Sequence, residues 1–386
     1  MDFSKIHVLI LEGYARQALP MIKAFRKLGC TVTTLNSSKL DVGYTSRYPN
    51  YRIIGTCSRD NYEGTVEQIR QMLKTKKYDL VVPLVDFSAE LLSRNYIEFI
   101  KYAKLATNPF DTYDLVRDKL KTMQICMEND IPCPKTLTGV NNLEYLKNID
   151  IEYPIVIKPR VGCGAIGFKV IKSYEELQDL VENKKIDLSS YVMQEYIPQT
   201  DVQFESAMFV DDNNEIKSAL VFSKNRWFPI EGGSSTLNIT IARPDIVETC
   251  SKLLKIIRWR GCADIDLIQD PRDGTAKVME VNPRVSGSVK ICFEAGIDLA
   301  RQIIEYEFGE EVTEYKEYKL GQRLRCSQTD LLWFIKSPNR FKAKPSWFSC
   351  KQTKDHTFSI DDPVPWFSFS IQAIMRYKNE MMKRRV

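Results

Sequence analysis

Asp264-Ile-Asp266-Leu-Ile-Gln-Asp-Pro-Arg-Asp273-Gly274-Thr-Ala-Lys-Val-Met-Glu280-Val-Asn282-Pro-Arg284 has the pattern of two strands joined by a turn. Two acids with apolar neighbours sit on one expected strand. A Glu-x-Asn pair sits on the next, and Asp273-Gly274 marks the turn between them. Alternation puts Glu280 and Asn282 on one face, and hairpin pairing brings Asp266 opposite them. Oxygen ligands gathered in this way suit a hard divalent cation, and Mg²⁺ with nucleotide phosphate is the commonest case.

Composition frames that reading. The chain has 386 residues, suited to two or three domains, with 44% hydrophobic and 27% charged residues. The net charge of +5 is modest, and the basic residues form no single long stripe, so no nucleic-acid partner is expected. Ten cysteines are scattered through apolar segments without a C-x-x-C pair, which fits reduced thiols of a cytoplasmic protein. Only two histidines occur, His7 and His356, which argues against a two-histidine metal site and against Ser-His-Asp catalysis. The N-terminus leads straight into a strand-like run, with no signal peptide expected. No 18-residue apolar stretch is present to span a membrane.

Upstream, Ile6–Leu11 and Asp79–Asp86 read as buried parallel strands and Cys30–Leu35 as a third. Helices are expected from Tyr14 to Leu28, Asn61 to Lys76 and Ser88 to Tyr102. This is a parallel α/β domain over residues 1–107. Its first turn holds one glycine, Gly13, so a dinucleotide fingerprint is absent. Asp86 ends a strand where open α/β sheets bind ligands, or else caps the following helix. One helix is expected from Asn108 to about Asn129. Tyr153–Arg160 is then a strand ending in Lys158. A turn with Gly162, Gly164 and Gly167 follows, and Phe168–Ile171 closes a hairpin. Such glycines let backbone N–H groups face an anion. Tyr191–Ile197 is a strand, Phe204–Val210 and Ile216–Phe222 a hairpin, and Trp227–Thr236 a polar loop able to close over a substrate. Pro244–Arg258 and Val289–Phe308 read as single helices.

Asp118-Lys119, Tyr153-Pro…Lys158-Pro, Gly162-x-Gly164-x-x-Gly167, Gln194-Glu195-Tyr196-Ile197 and Asp266…Glu280-Val-Asn282-Pro-Arg284 occur in that order. Together they resemble the ATP-grasp superfamily over roughly residues 5–310. The match is nearest to its carbamoyl-phosphate-synthase-like members and to carboxylate–amine ligases related to D-aspartate ligase. The resemblance implies an α/β and α+β chain: a parallel pre-ATP-grasp domain (1–107) and an ATP-grasp domain (108–310) with a small lid (about 134–196) and an antiparallel C-terminal lobe. A C-terminal extension (311–386) follows.

The resemblance also implies roles for single residues. Lys119 and Lys158 would hold ATP phosphates, with Gly162, Gly164 and Gly167 as a lid over them. Glu195 and Ile197 would lie at the adenine. Asp201 would lie at the ribose, with Glu205 as alternative because this chain lacks the usual Gly-Glu pattern there. Asp266, Glu280 and Asn282 would bind Mg²⁺, with Mn²⁺ as a substitute, and Arg284 would meet the reacting phosphoryl group. The implied activity is ATP-dependent joining of a small carboxylate to an amine. A carboxylate–thiol ligase, a carboxyphosphate-forming carboxylase and a non-catalytic nucleotide binder are the alternatives. Asp86, Arg243, Arg284 and the Glu231–Thr236 loop are candidates for substrate contact.

Residues 311–386 become aromatic and basic, ending Lys383-Arg-Arg-Val386. Two readings stand: an appendage packed on the body or on a dimer mate, and an interfacial segment from Trp366 to Met382 for anionic lipid.

Overall fold

The computed structural model describes all residues except 76, 141, 148–151, 163–165, 184, 200–201, 231–232 and 384–386, with side chains to residue 375. The first sheet is parallel. Its strands are β1 (His7–Ile10), β2 (Thr31–Asn36), β3 (Tyr51–Ile54), β4 (Leu80–Val82) and β5 (Lys104–Leu105), in the order β3-β2-β1-β4-β5. The central strands are apolar on both sides because helices cover both faces. Helix Ala18–Lys27 buries Met21, Ile22 and Phe25 on one face, and Tyr62–Thr75 buries Val66, Ile69 and Leu73 on the other. Each such side chain contributes roughly 1.5–3 kcal/mol. Sequence reading missed β3, a largely exposed edge strand without the buried apolar run.

The expected helix over Asn108–Asn129 is two helices, Phe110–Arg117 and Lys119–Glu128. They break at Asp118, whose Oδ1 caps the second by accepting from the Leu120 amide (3.0 Å). A small antiparallel sheet follows: β6 (Thr136–Leu137), β7 (Ile155–Pro159), β8 (Lys169–Ile171) and β9 (Tyr191–Glu195), in the order β6-β9-β7-β8. Helix Tyr174–Glu182, capped by Ser173, lays Leu177 and Leu180 onto it.

The third sheet has seven strands: β10 (Gln203–Val210), β11 (Ile216–Phe228), β12 (Ser234–Thr240), β13 (Gly261–Gln269), β14 (Ala276–Asn282), β15 (Arg323–Arg325) and β16 (Thr353–Asp355). Their order is β14-β13-β10-β11-β12-β15-β16. One face packs toward the first sheet through Ala207, Phe209, Leu220 and Phe222. The other packs on helix Pro244–Ile256 through Met208, Val221, Ile265 and Val278. Two expectations are corrected. The Trp227–Thr236 segment is strand at both ends: β11 runs to Phe228, β12 starts at Ser234, and Thr236 is buried with its hydroxyl on Asp330 (2.8 Å). The Val289–Phe308 helix is two, Lys290–Ala295 and Leu299–Glu307, because Gly296 turns left-handed at φ 102°.

The C-terminal residues are stitched into the body. β15 and β16 extend the third sheet, and helix Ser327–Lys336 packs beside β11 and β12. Asp330, fully buried, pairs with Arg226 (2.9 Å) and Arg325 (3.2 Å). Phe334, Phe341, Trp347 and Phe348 form one aromatic cluster. The last helix, Val364–Lys383, crosses to the first domain, where Gln372 donates to Asp41 (2.8 Å) and Ser368 bonds Thr45 (2.9 Å). Ahead of it, Asp362 accepts from Ser46 (2.6 Å). Trp366, the first residue of the segment offered above as interfacial, gives its indole N–H to Ser327 (2.8 Å). Among the described residues no helix is long and apolar enough to cross a membrane.

Candidate active site

Strand alternation builds the site. On β10 the parity of Ala207 and Phe209 continues to Glu205, and on β11 that of Leu220 and Phe222 continues to Lys224. On β13, Ile265 and Leu267 take the opposite core, leaving Asp264 and Asp266 on the site face. A bulge between Asp266 and Leu267 lets both Val278 and Val281 of β14 stay in that core while Glu280 and Asn282 face the site. Register pairs Asp266 with both Glu205 and Glu280, and Asp264 with Asn282. The expected hairpin and the facing of Asp266 and Glu280 are observed.

Four cationic side chains meet five carboxylates here. Lys224 Nζ is 2.8 Å from Glu205 and also bonds Asp266. Asn282 donates to Asp266 Oδ2 (3.1 Å). Arg284 reaches Asp86 (3.0 Å) and Asp264 (3.5 Å), and its Nη2 donates to Asn282 Oδ1 (3.2 Å). From the other side of the cleft, Lys119 pairs with Glu280 (3.1 Å) and donates to the Gly162 carbonyl (2.7 Å). Lys158 on β7 reaches the Met279 carbonyl (3.4 Å). Asp118, at the start of the Lys119 helix, is held by Arg160 (3.1 Å), which fixes where Lys119 emerges.

The electrostatics follow from crowding. Burial raises Asp266 to about 6, with Lys224 opposing and Glu205 and Glu280 reinforcing. Burial and the neighbouring Glu205 hold Asp264 well above the carboxylate range. Burial works against the charge of Glu205, but Lys224 and Ser286 (2.6 Å) hold its carboxyl at about 2. Glu280 is likewise held low by Lys119 and Lys158 against burial. Burial lowers Lys158 to about 8, with Glu280 opposing. Asp266, Glu280 and the Asn282 side chain fit one hard cation shared with phosphate oxygens, since Mg²⁺ commonly takes only one or two protein carboxylates. No cluster of three or more His, Cys, Asp and Glu able to hold a metal alone occurs among the described residues.

Other expected residues stand as follows. Gly162 (φ 142°) and Gly167 (φ 77°) take backbone conformations that favour glycine, and a Cβ on Gly167 would lie 2.8 Å from Pro159. Gly164, Asp201 and Glu231 lie outside the described residues. The Glu195 carboxylate takes the Lys135 amide (2.9 Å), Lys277 (2.9 Å) and Arg272 (2.6 Å), and Ile197 is buried beyond the strand end. Glu205, the alternative ribose acid, belongs to the acidic cluster. Arg243 is spent on Asp245 (2.6 Å) and stacks over Phe204, so it is no member of the site.

Several residues escaped sequence reading. Lys224 is one, although a lysine at the parity of Leu220 and Phe222 was the available signal. Glu12 is another: it sits left-handed (φ 54°) after β1, buried, accepting from Ser88 (2.6 Å), and burial raises it to about 7. Glu90, paired with Arg94 and Arg117 (both 2.9 Å), lines the cleft beside Lys119, Glu280 and Asn282 together with Arg59 and Arg117.

Comparison with known proteins bears on the fold and the domain. Residues 116–288 match the model of the ATP-grasp domain. The chain is 27% identical over 254 residues to a D-aspartate ligase of Enterococcus faecium, covering 60% of this chain and 59% of that protein. It is 28% identical over 175 residues to a D-alanine–D-alanine ligase of Wolbachia (43% of this chain, 54% of that one). It thus spans less than two thirds of either relative. A biotin carboxylase structure from Campylobacter jejuni shares the fold, with TM-score 0.69 and 18% identity, covering 82% of this chain and 74% of that chain. The chain therefore carries an ATP-grasp domain, built on an ATP-grasp fold, and is related through it to D-aspartate and D-alanine–D-alanine ligases.

Proposed function

We propose that this chain is an ATP- and Mg²⁺-dependent ligase that activates a small carboxylate as an acyl phosphate and joins it to an amine, releasing ADP and phosphate. One observation carries the reading: Lys119, Lys158, Lys224 and Arg284 converge on Asp266, Glu280 and Asn282 in one cleft. A carboxylate is a poor acyl donor because oxide would have to leave. Transfer of the γ-phosphoryl group to a carboxylate oxygen supplies phosphate as the leaving group, and the amine nitrogen then displaces it.

This chain's residues would work by position and charge. Lys119 and Lys158 hold the phosphates from two sides, and the backbone of the Gly162–Gly167 turn covers them. Arg284, oriented by Asp86 and Asp264, meets the charge developing on the transferred group. Lys224 keeps Glu205 and Asp266 ionised and in place. Glu195 and Ile197 lie at the adenine end, and Asp201 is the proposed ribose contact. Asp266, Glu280 and Asn282 would hold Mg²⁺, or Mn²⁺ in its stead, which would neutralise phosphate charge. Arg59, on the cleft lining and only 3.8 Å from Glu90, suits an anionic group on the substrate. We assign residues 1–107, 108–310 (lid about 134–196) and 311–386 as the three parts.

The test is ADP and phosphate release with ATP, Mg²⁺ and pooled carboxylic acids and amines. Release that depends on both pools is expected. AMP and pyrophosphate would overturn the acyl-phosphate route.

A further inference from the structure

The C-terminal residues have an inner and an outer face. The three acids between residues 331 and 375 are spent on the inner one. Asp355 accepts from the Ser327 amide (2.9 Å), Asp361 takes Lys23 and Tyr48 of the first domain, and Asp362 takes Ser46 (2.6 Å). Lys336, Arg340, Lys342 and Lys344 are exposed and make no ion pair among the described residues. Apolar side chains lie among them. On helix Ser327–Lys336, Asp330 and Trp333 are buried, which leaves Leu331 and Ile335 exposed one turn apart. Arg340 stacks over exposed Phe341 and donates to the Ile335 carbonyl (3.2 Å), so these three are neighbours. On the last helix, Ser368 and Gln372 face the first domain, which leaves Phe367, Ile371 and Ile374 as an exposed stripe at helical spacing. The two helices touch where Gln328 donates to Ser370 (2.9 Å). Leu331 lies one turn beyond Gln328, and Phe367 and Ile374 lie one turn to either side of Ser370, so the two stripes meet at that contact.

Single exposed apolar residues are ordinary, but a contiguous run of them rimmed by charge marks an interaction site. Charge decides what this one fits. Residues 331–386 hold eleven Lys and Arg against four Asp and Glu, a net +7 where the whole chain is +5. A second copy would set two such faces against each other, like charge on like. A nucleic acid would satisfy the cations and leave the apolar stripes in water. A bilayer leaflet with anionic headgroups takes both, the cations at the headgroups and the apolar side chains just below them. We propose that this outer face seats the protein on an anionic bilayer surface, with Leu331, Ile335, Phe341, Phe367, Ile371 and Ile374 entering the headgroup boundary. The surface differs from the single segment Trp366–Met382: it is built from two helices and the turn after the first, and Trp366 stays bonded to Ser327. The proposal does not depend on which reaction the cleft performs.

The test is sedimentation of the full chain with vesicles of phosphatidylcholine alone or mixed with phosphatidylglycerol, for the wild type and two double variants. Lys342→Gln with Lys344→Gln removes charge, and Ile335→Ser with Ile371→Ser removes apolar contact on both helices. All four positions are exposed, so the fold is not at stake. The wild type should bind the phosphatidylglycerol vesicles, bind phosphatidylcholine alone at least tenfold more weakly, and be released by high salt. Each double variant should bind the anionic vesicles about tenfold or more weakly. Four results would overturn the proposal. The wild type ignores anionic vesicles, or it binds both vesicle types equally. Either double variant binds like the wild type, or analytical ultracentrifugation shows a dimer that Ile335→Ser with Ile371→Ser splits, which would give the face to a second copy.

Discussion

Lys224→Met is the perturbation whose outcome the geometry constrains most tightly. Its Nζ lies 2.8 Å from Glu205 and also bonds Asp266, and the side chain is 15% exposed. At an effective dielectric of about 20, one such contact is worth roughly 6 kcal/mol before desolvation is counted. Removing the lysine leaves Glu205, Asp264 and Asp266 together, with Arg284 as the nearest remaining cation on that side. Loss of one partner from a buried pair typically costs about 3–5 kcal/mol. Asp266 already sits at about 6, so it can take up a proton near neutral pH for roughly 1–2 kcal/mol. The expected loss is therefore at the low end, about 3 kcal/mol. Urea denaturation followed by tryptophan fluorescence measures it. Lys224→Met combined with Asp266→Asn removes the stranded charge and should recover about half of the loss, while ADP release stays abolished. A loss below about 1 kcal/mol in the single variant, or no recovery in the double, would show that Lys224 does not hold this cluster together.

Other outcomes follow from the same structure. Glu280→Gln should lower ADP release by a factor of about 10²–10³, the scale of one lost electrostatic group, with an unchanged circular dichroism spectrum. Burial raises Glu12 from 4.5 to about 7, so the folded chain binds a proton that the unfolded chain has lost, and stability falls as pH rises through that window. Glu12→Gln should therefore match the wild type near pH 4.5 and exceed it by up to about 3 kcal/mol at pH 8, read from urea midpoints. Asp330→Asn leaves Arg226 and Arg325 facing a neutral group in a buried site. It should cost about 3 kcal/mol and raise protease cleavage within residues 327–375.

What could be read from the chain alone follows a physical divide. The β13–β14 hairpin was legible because Asp273-Gly274 fixes a turn and alternation fixes a face, so Asp266 and Glu280 had to meet. The central strands of the first sheet were legible as apolar runs. Breaks in helices were not: the capping carboxylate of Asp118 and the left-handed Gly296 each interrupt a segment whose apolar spacing continues across them. β12 was hidden because Ser235, Thr236, Asn238 and Thr240 are polar yet buried, their hydrogen bonds completed by Asp330, Ser288 and other distant partners. Lys224 was hidden because its partners, Glu205 and Asp266, are brought to it only by sheet order. The C-terminal segment offered aromatics without periodicity, and its role as a strap between the third sheet and the first domain depends on pairings such as Gln372 with Asp41 that no spacing encodes.

Conversion of a carboxylate into an acyl phosphate is the step proposed for the cleft. Hydroxylamine in place of the amine tests it most directly, because it captures an acyl phosphate as a hydroxamate. With ATP, Mg²⁺ and a turned-over carboxylic acid, hydroxamate, ADP and phosphate should form in equal amounts, all lost in Glu280→Gln. Hydroxamate accompanied by AMP and pyrophosphate, or equal amounts formed by Glu280→Gln, would contradict it.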